Sequence, residues 1–220
     1  MNRHTSLRQD LARAIRRLYD RGLVSGVGGN ASVLLPSGDE LLITPTGYFK
    51  GGVAEGDLVR VTLAGRVIGR GQPSSELATH LITYTARGDI RAVVHAHPPV
   101  AVALATAGID IPLLTPEQAA LIPSLEVVKF VPPGERGAMA VRDAVGRSDL
   151  VGIRNHGFFS LGADLHEAVS RLEVLEESSM IFFVASQFGK VPALRGTDVE
   201  AIRETYASRR KVTPASKRKR

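Results

Sequence analysis

Two histidines stand one residue apart at the end of an apolar run, in the segment AVVHAHPPV (residues 92–100). The β-branched residues before them predict a buried strand, and side chains two positions apart in a strand point to the same face. His95 and His97 would therefore present two imidazole rings from one rigid strand end. Neutral imidazole is the commonest metal ligand in proteins. The spacing indicates two ligands of a metal site, although two ordinary histidines hydrogen-bonded to a loop would give the same pattern.

A third metal ligand is offered by His156, in an NHG sequence where another strand run breaks. Gly157 would permit a sharp turn or a close backbone approach at this point. Three histidines leave a zinc ion with one open position, which is the arrangement of catalytic sites. The other histidines fit this role less well. His4 is close to the N-terminus, His80 is either a helix-face residue or an outer partner of the site, and His166 is expected in solvent.

The candidate acid or base is Glu76, which follows the sequence PSS and falls in the first turn of a helix predicted for residues 74–87. A glutamate at a helix start could serve only to complement the helix dipole. The neighbouring hydroxyl groups favour a further role. Ser74, Ser75 and the free backbone N–H groups of a helix start can together bind an anion.

Other donors for an anion lie in two separate turns that precede this helix in the sequence. Asn30 lies in the Gly-rich sequence GVGGN, and Thr46 and Gly47 follow Pro45. Turn chemistry alone explains each of these residues. Taken together with the two serines, they predict a phosphate cradle beside the metal.

The elements that must position these residues include both hairpins and strands between helices. Apolar spacing predicts a helix over 6–22, with strands near 31–35 and 40–44, and a long helix follows Asp164 and stops at Gly189. In the helix at 74–87 we expect Ser74 or Ser75 as N-cap and a buried stripe of Leu77, Leu81 and Tyr84. The sequence GVGGN leads into a strand and not into a helix, so it is not a dinucleotide-binding fingerprint.

The composition favours one globular domain of 220 residues, 44% of them hydrophobic and 23% charged. We assign residues 1–210 to this domain and residues 211–220 to a basic, disordered tail. The tail carries most of the net charge of +6, so the folded part is nearly neutral and we expect no nucleic-acid partner. Cysteine is absent, which excludes disulfides and thiolate ligands and suits a cytoplasmic protein. No apolar run approaches the roughly 18 residues of a membrane span, so no membrane partner is expected.

Five short motifs occur in an order that is typical of one family. The sequences GGNAS, ITPTG, PSSE, AVVHAH and NHG together resemble the class II aldolase/adducin-head family, over roughly residues 7–190. The resemblance implies an α/β fold, a three-layer α/β/α sandwich around a mostly antiparallel central sheet. It also implies a homotetramer with sites between subunits.

The resemblance assigns roles to the residues named above. It implies that His95, His97 and His156 bind a divalent metal, usually zinc, with manganese or cobalt possible, and that Glu76 is the acid/base. The substrate phosphate would be held by three pairs of residues: Gly29 and Asn30, Thr46 and Gly47, Ser74 and Ser75.

The implied activity is that of a metal-dependent aldolase. Such an enzyme cleaves a ketose 1-phosphate to dihydroxyacetone phosphate and an aldehyde through a metal-stabilised enediolate. An epimerase, dehydratase or decarboxylase of a related phosphorylated sugar could use the same enolate, and a non-catalytic binding module would be expected to lack the ligands. The aldehyde side departs from the family pattern. Val27 replaces a threonine, Pro116 stands where an aromatic residue is expected, and only Tyr206 is a candidate for the second aldehyde-side tyrosine.

Overall fold

The fold is built on one central sheet of eight strands, described here from a computed structural model. The structure describes the backbone of residues 3–212 and the side chains of residues 6–208. The strands are β1 (Asn30–Leu34), β2 (Glu40–Ile43), β3 (Val59–Thr62), β4 (Val67–Ile68), β5 (Ala92–Ala96), β6 (Leu125–Val128), β7 (Leu150–Ile153) and β8 (Gly157–Gly162). Their order across the sheet is β4-β3-β2-β1-β5-β8-β7-β6. Only the β6–β7 pair is parallel among these strands, so the predicted mostly antiparallel sheet is confirmed.

Helices cover both faces of this sheet. They are α1 (Arg3–Asp20), α2 (Leu77–Ala86), α3 (Pro99–Ala107), α4 (Pro116–Leu121), α5 (Glu135–Arg147), α6 (Leu165–Ser186) and α7 (Gly196–Val212). A 3-10 turn spans Lys50–Gly52. Helices α2 and α5 pack together on one face, while α1, α3 and α6 lie on the other, with α4 against α6 and α7 against α4. The arrangement is the predicted α/β/α sandwich.

Strand β5 lies near the middle of the sheet and is buried throughout. Its side chains alternate between two apolar cores, with Val94 facing α1 and α6 and Val93 facing α2 and α5. A strand that is buried on both faces consists of consecutive apolar residues, which explains the apolar run at residues 92–94. His95 has the same parity as Val93, so its ring lies on the α2 side of the sheet.

The start of α2 differs from the prediction. The helix begins at Leu77, and Glu76 occupies the N-cap position without a side-chain capping bond. Ser74 lies two residues before this N-cap, and its own N–H donates to the carbonyl oxygen of Thr44 at 3.1 Å. Its hydroxyl oxygen accepts from the N–H of Glu76 at 3.3 Å, ahead of the helix.

The buried face of α2 also differs from the apolar stripe expected. Tyr84 is buried as predicted, but Leu77 and Leu81 are only partly buried. The deepest positions are polar, and include His80 and Thr83, both with no exposed surface. Hydrophobic periodicity could not find a buried face whose members are polar.

Other boundaries follow the sequence more closely. Asp164 caps α6, since its carboxylate accepts from the N–H of Glu167 at 2.8 Å, and the helix ends at Ser186, three residues before the predicted stop at Gly189. Helix α7 was not predicted and runs to Val212. The rest of the predicted basic tail, residues 213–220, lies outside the described residues. Within residues 3–212, no helix is both long and apolar enough to cross a membrane.

Candidate metal and catalytic site

Three histidine rings converge where β5 ends. His95 is in the strand, His97 follows it directly, and His156 lies in the turn between β7 and β8. The Nε2 atoms of His95 and His97 are 3.0 Å apart, and one possible ligand atom from each of the three residues falls within 4.8 Å of the others. The structure thus brings the three predicted ligands together.

The β7–β8 turn reaches this point because two of its residues have unusual backbone requirements. Asn155 adopts a left-handed conformation with φ of 58°. A Cβ atom at Gly157 would stand 2.5 Å from the carbonyl oxygen of Ala96 and 2.9 Å from Cε1 of His95. Only glycine lets the turn approach β5 this closely, as the sequence suggested.

Burial keeps the imidazoles neutral. It holds the pKa of His95 well below its ordinary value and lowers the pKa of His97 to about 4, with the neighbouring histidines adding to the effect. It also lowers the pKa of His156. His95 donates from Nδ1 to the carbonyl oxygen of Phe158 at 3.1 Å, so its Nε2 carries the lone pair that faces the site. Neutral rings whose nitrogens converge in this way fit a divalent cation, and three histidines could hold one.

A buried carboxylate lies against these rings. Glu76 is 6% exposed, with Oε2 3.1 Å from Nε2 of His95 and Oε1 3.5 Å from Nε2 of His156. Burial raises the pKa of Glu76 to about 7, while a hydrogen bond from Nδ2 of Asn30 at 2.8 Å opposes the rise. A carboxyl group that titrates near neutrality can both accept and return a proton.

A chain of buried polar side chains continues from Glu76 into the layer between β1 and α2. Oδ1 of Asn30 is 2.6 Å from Nε2 of His80, whose Nδ1 is 2.7 Å from the hydroxyl of Ser32. That hydroxyl is 2.8 Å from the phenol oxygen of Tyr84. The sequence interpretation of His80 as an outer partner of the site agrees with this geometry, whereas Ser32 and Tyr84 were missed.

The signal for the missed residues is present as two spacings. Glu76, His80 and Tyr84 are four residues apart on one helix face, and Asn30 and Ser32 are two apart on one strand face. Neither spacing alone shows that the two faces meet.

The segments predicted to hold phosphate lie side by side. Pro45 and Pro73 form an isolated antiparallel bridge, which places Thr46 beside Gln72 and Ser74 beside Thr44. The predicted residues differ in accessibility, since Ser75 is exposed and Ser74 is buried. Gly29 and Gly47 have φ of 75° and 72°, so both turns depend on glycine. The side chain of Asn30, predicted to contact phosphate, is bonded to Glu76 and His80.

A buried lysine stands between these segments and was not found from the sequence. Lys50 is 2% exposed, and its Nζ donates to the carbonyl oxygen of Pro45 at 3.2 Å. Its backbone N–H donates to the carbonyl of Gly26, in the other predicted turn. Burial lowers the pKa of the Lys50 ammonium group.

The residues that depart from the family pattern lie in three different segments. Val27 is 74% exposed in the Gly-rich turn. Pro116 begins α4, and the Tyr206 hydroxyl lies 3.5 Å from Oε1 of Glu117 between α7 and α4.

The fold and the site together define an α/β protein with a three-histidine centre beside a buried carboxylate. A sequence profile for the class II aldolase and adducin N-terminal domain matches residues 9–183. The chain belongs to this family, which confirms the resemblance seen in the sequence.

Relatives within the family differ in their reactions. The chain is 39% identical to an L-fuculose phosphate aldolase of Methanocaldococcus jannaschii over 166 residues, which is 76% of this chain and 90% of that one. It is 32% identical to a 3-oxo-tetronate 4-phosphate decarboxylase of Escherichia coli K12 over 185 residues, which is 81% and 87% of the two chains. The solved structure of YgbL from Klebsiella pneumoniae superposes with a TM-score of 0.84 at 32% identity, covering 91% of this chain and 99% of that one.

Proposed function

We propose that this protein is a metal-dependent sugar-phosphate aldolase that cleaves a ketose 1-phosphate to dihydroxyacetone phosphate and an aldehyde. The observation that carries the proposal is the placement of Glu76, whose carboxylate lies 3.1 Å from a metal-ligand nitrogen and whose pKa burial raises to about 7. The relatives that act as L-fuculose phosphate aldolases support the same reaction.

Metal binding and proton transfer are assigned to different residues of the protein. His95, His97 and His156 hold the metal, for which neutral imidazoles favour zinc, with manganese or cobalt as alternatives. When bound, the metal supplies a Lewis acid that stabilises negative charge developing on substrate oxygen. Glu76 moves the proton on and off the carbon of the dihydroxyacetone phosphate half, since its buried carboxylate lies against the ring nitrogens of two of these ligands.

The substrate's phosphate is placed by the adjoining turns. Hydrogen-bond donors are offered by the exposed hydroxyl of Ser75 and by the backbone around Gly29, Thr46 and Gly47. The buried hydroxyl of Ser74 accepts from the N–H of Glu76 and so stabilises this turn. Asn30 serves two purposes, because its amide also donates to Glu76. Phosphate recognition of this kind depends on charge-assisted hydrogen bonds from hydroxyl and backbone N–H groups.

A decarboxylase of a 3-oxo sugar-acid phosphate is the second candidate, since a relative at 32% identity has that activity. Loss of carbon dioxide and retro-aldol cleavage leave the same kind of enediolate, and both require a proton to be returned to carbon. The residue that would handle an aldehyde is replaced by Pro116, which is compatible with a substrate that releases no aldehyde. The complete set of ligands and Glu76 argues against a non-catalytic module.

One set of assays distinguishes these reactions. The zinc-loaded protein is incubated with dihydroxyacetone phosphate in deuterated water, and NMR follows exchange of the carbon-bound proton. Exchange without any aldehyde present is expected of an aldolase. A parallel screen measures dihydroxyacetone phosphate released from ketose 1-phosphates and carbon dioxide released from 3-oxo-tetronate 4-phosphate. Release of carbon dioxide from 3-oxo-tetronate 4-phosphate, without release of dihydroxyacetone phosphate from any ketose 1-phosphate, would move the assignment to the decarboxylase.

The assembly is a homotetramer. Apolar residues are exposed along the second half of α6 and just after it, and such a surface is typical of a protein interface. They are Met180, Ile181, Phe183, Val184 and Phe188. Light scattering of the purified protein tests this state, and a monomeric mass at micromolar concentration would contradict it.

A further inference from the structure

We propose that His80, backed by Ser32 and Tyr84, is a positioning residue that acts on Glu76 through the side-chain amide of Asn30. The inference rests on the proposed role of Glu76 as the group that moves the proton. It adds His80, Ser32 and Tyr84, which belong to neither the metal-ligand set nor the phosphate set and reach Glu76 through Asn30.

The direction of each hydrogen bond in the chain follows from its carboxylate end. An ionised Glu76 can only accept, so Nδ2 of Asn30 must face it and Oδ1 must point away. Oδ1 can only accept, so Nε2 of His80 carries the proton that it receives. Nδ1 of His80 is then an acceptor, and the Ser32 hydroxyl donates to it.

The hydroxyl of Tyr84 completes the chain. Because the hydrogen of Ser32 is used toward His80, its oxygen accepts from the Tyr84 hydroxyl at 2.8 Å. Every donor therefore points the same way, from Tyr84 toward Glu76. Hydrogen bonds aligned in this manner polarise one another and strengthen the last bond, which is the one made to the carboxylate.

Burial makes the arrangement rigid and keeps it uncharged. His80 and Ser32 have no exposed surface, and Asn30 and Tyr84 are 3% and 5% exposed. Burial lowers the pKa of His80 to about 3, so the ring stays neutral and keeps one donor and one acceptor. Without a fixed Nε2–H beneath it, the amide of Asn30 could turn over and set its oxygen against the carboxylate.

A purely structural role would be served better by apolar side chains. The layer between β1 and α2 is otherwise lined by residues such as Leu34, Ile43 and Val93. Burying several polar groups there costs free energy unless each is hydrogen-bonded. Each polar group in this series is hydrogen-bonded, so the condition is satisfied, and the series ends at the carboxylate of Glu76.

The test compares variants that break the chain at different points. His80→Leu removes the donor to Asn30, His80→Gln keeps a donor near the position of Nε2, and Tyr84→Phe removes only the most distant hydroxyl. Ser32→Ala removes the hydroxyl that donates to Nδ1 of His80 and leaves the histidine in place. Thr83→Val is the matched control, since it deletes a buried hydroxyl of α2 that bonds only within the helix, to the carbonyl of Thr79.

The measured quantities are kcat, KM, metal content and the rate at which the carbon-bound proton of dihydroxyacetone phosphate exchanges with deuterated water. His80→Leu and Ser32→Ala are expected to lower kcat and exchange by about 10- to 100-fold, with metal content and KM unchanged, which is the usual size of such outer hydrogen-bond effects. Tyr84→Phe should lose less, His80→Gln should recover most of the rate, and Thr83→Val should behave as wild type. Equal rates in His80→Leu and wild type would overturn the proposal.

A readout that needs no activity uses nitrogen-15 NMR of the histidine rings. The proposal requires His80 to be the neutral Nε2–H form at pH 7 in wild type and to lose this preference in Ser32→Ala. An Nδ1–H or doubly protonated ring in wild type would overturn it, even if His80→Leu does not fold. If wild type catalyses no exchange but shows the expected ring form, the proposed reaction fails and the hydrogen-bond chain stands.

Discussion

Asn30 and His95 lie directly opposite each other in the ladder between β1 and β5. One of them donates to the carboxylate of Glu76 and the other is a predicted metal ligand. Two central strands therefore fix the distance between the group that would move the proton and the group that would hold the metal.

Removal of one imidazole should remove the metal. The wild-type protein is expected to carry about one divalent ion per chain, lost to a chelator together with activity, as in three-histidine sites. His95→Ala should lose both metal and turnover, measured by elemental analysis and the exchange assay. His166→Ala is the control because His166 is exposed on α6. Full occupancy in His95→Ala would show that the ligand assignment is wrong.

Replacement of the carboxylate should stop proton transfer and spare the metal. Glu76→Gln is nearly isosteric, and Glu76 makes no capping bond in α2, so the fold should persist. The exchange rate is expected to fall by about 10²- to 10⁴-fold, which is the usual contribution of a general acid or base. Glu126→Gln, which touches only the ion pair with Arg147, should exchange like wild type. Normal exchange in Glu76→Gln would place the base elsewhere.

The phosphate assignment is tested at its exposed hydroxyl. Ser75→Ala should weaken binding of the phosphorylated substrate by about 1.5–3 kcal/mol, the value of a hydrogen bond to a charged group, without changing metal content. Calorimetry with phosphorylated and dephosphorylated sugars measures the effect. Ser37→Ala, in the exposed turn between β1 and β2, should bind as wild type does. If wild type binds both sugars equally, this is not a phosphate site.

The turn that carries His156 should not accept a side chain at Gly157. A methyl group there would meet backbone oxygen at 2.5 Å, and overpacking of this kind costs about 1–3 kcal/mol. Gly157→Ala is therefore expected to lower the melting temperature and metal affinity together. Gly146→Ala in α5 has open space for its methyl group and should be neutral or stabilising. Unchanged metal affinity in Gly157→Ala would contradict the close approach described here.

Burial of His80 should make the protein less stable in mild acid. Its pKa is lowered to about 3 in the folded chain and returns to about 6.5 on unfolding, so only the unfolded chain takes up a proton between these values. The free energy of unfolding should then fall as the pH drops below about 6.5, by up to about 1.4 kcal/mol per pH unit. Urea titrations of His80→Gln should show a shallower slope than wild type, and those of the control His166→Gln should not. An equal slope in His80→Gln would mean that His80 is protonated when folded.

The sequence was sufficient for the parts of the site that follow local rules. Strand periodicity placed His95 and His97 on one side, and the NHG break placed a histidine in a turn that needs glycine. The ordered motifs then identified the family, and with it the sandwich fold. The placement of the histidines uses spacings within a single short segment, and the family assignment uses the order of five such segments.

What the sequence could not supply depends on the packing of one element against another. Tyr84 was assigned to an apolar stripe because Leu77 and Leu81 share its face by helical spacing, although both are only partly buried. Its contact with Ser32 exists only because α2 lies over β1 at one particular rotation. Ser74 is likewise held by another segment, since its N–H donates to the carbonyl oxygen of Thr44.

The central position of β5 also sets the order in which the site can be assembled. His95 bonds to the carbonyl of Phe158, 63 positions further along the chain, and pairs with Asn30 far before it. Contacts between such distant segments require long loops to close and therefore form slowly. A chain emerging from the ribosome offers His95 and His97 well before His156 has been made. The complete metal centre thus requires segments from before, within and after β5 to come together.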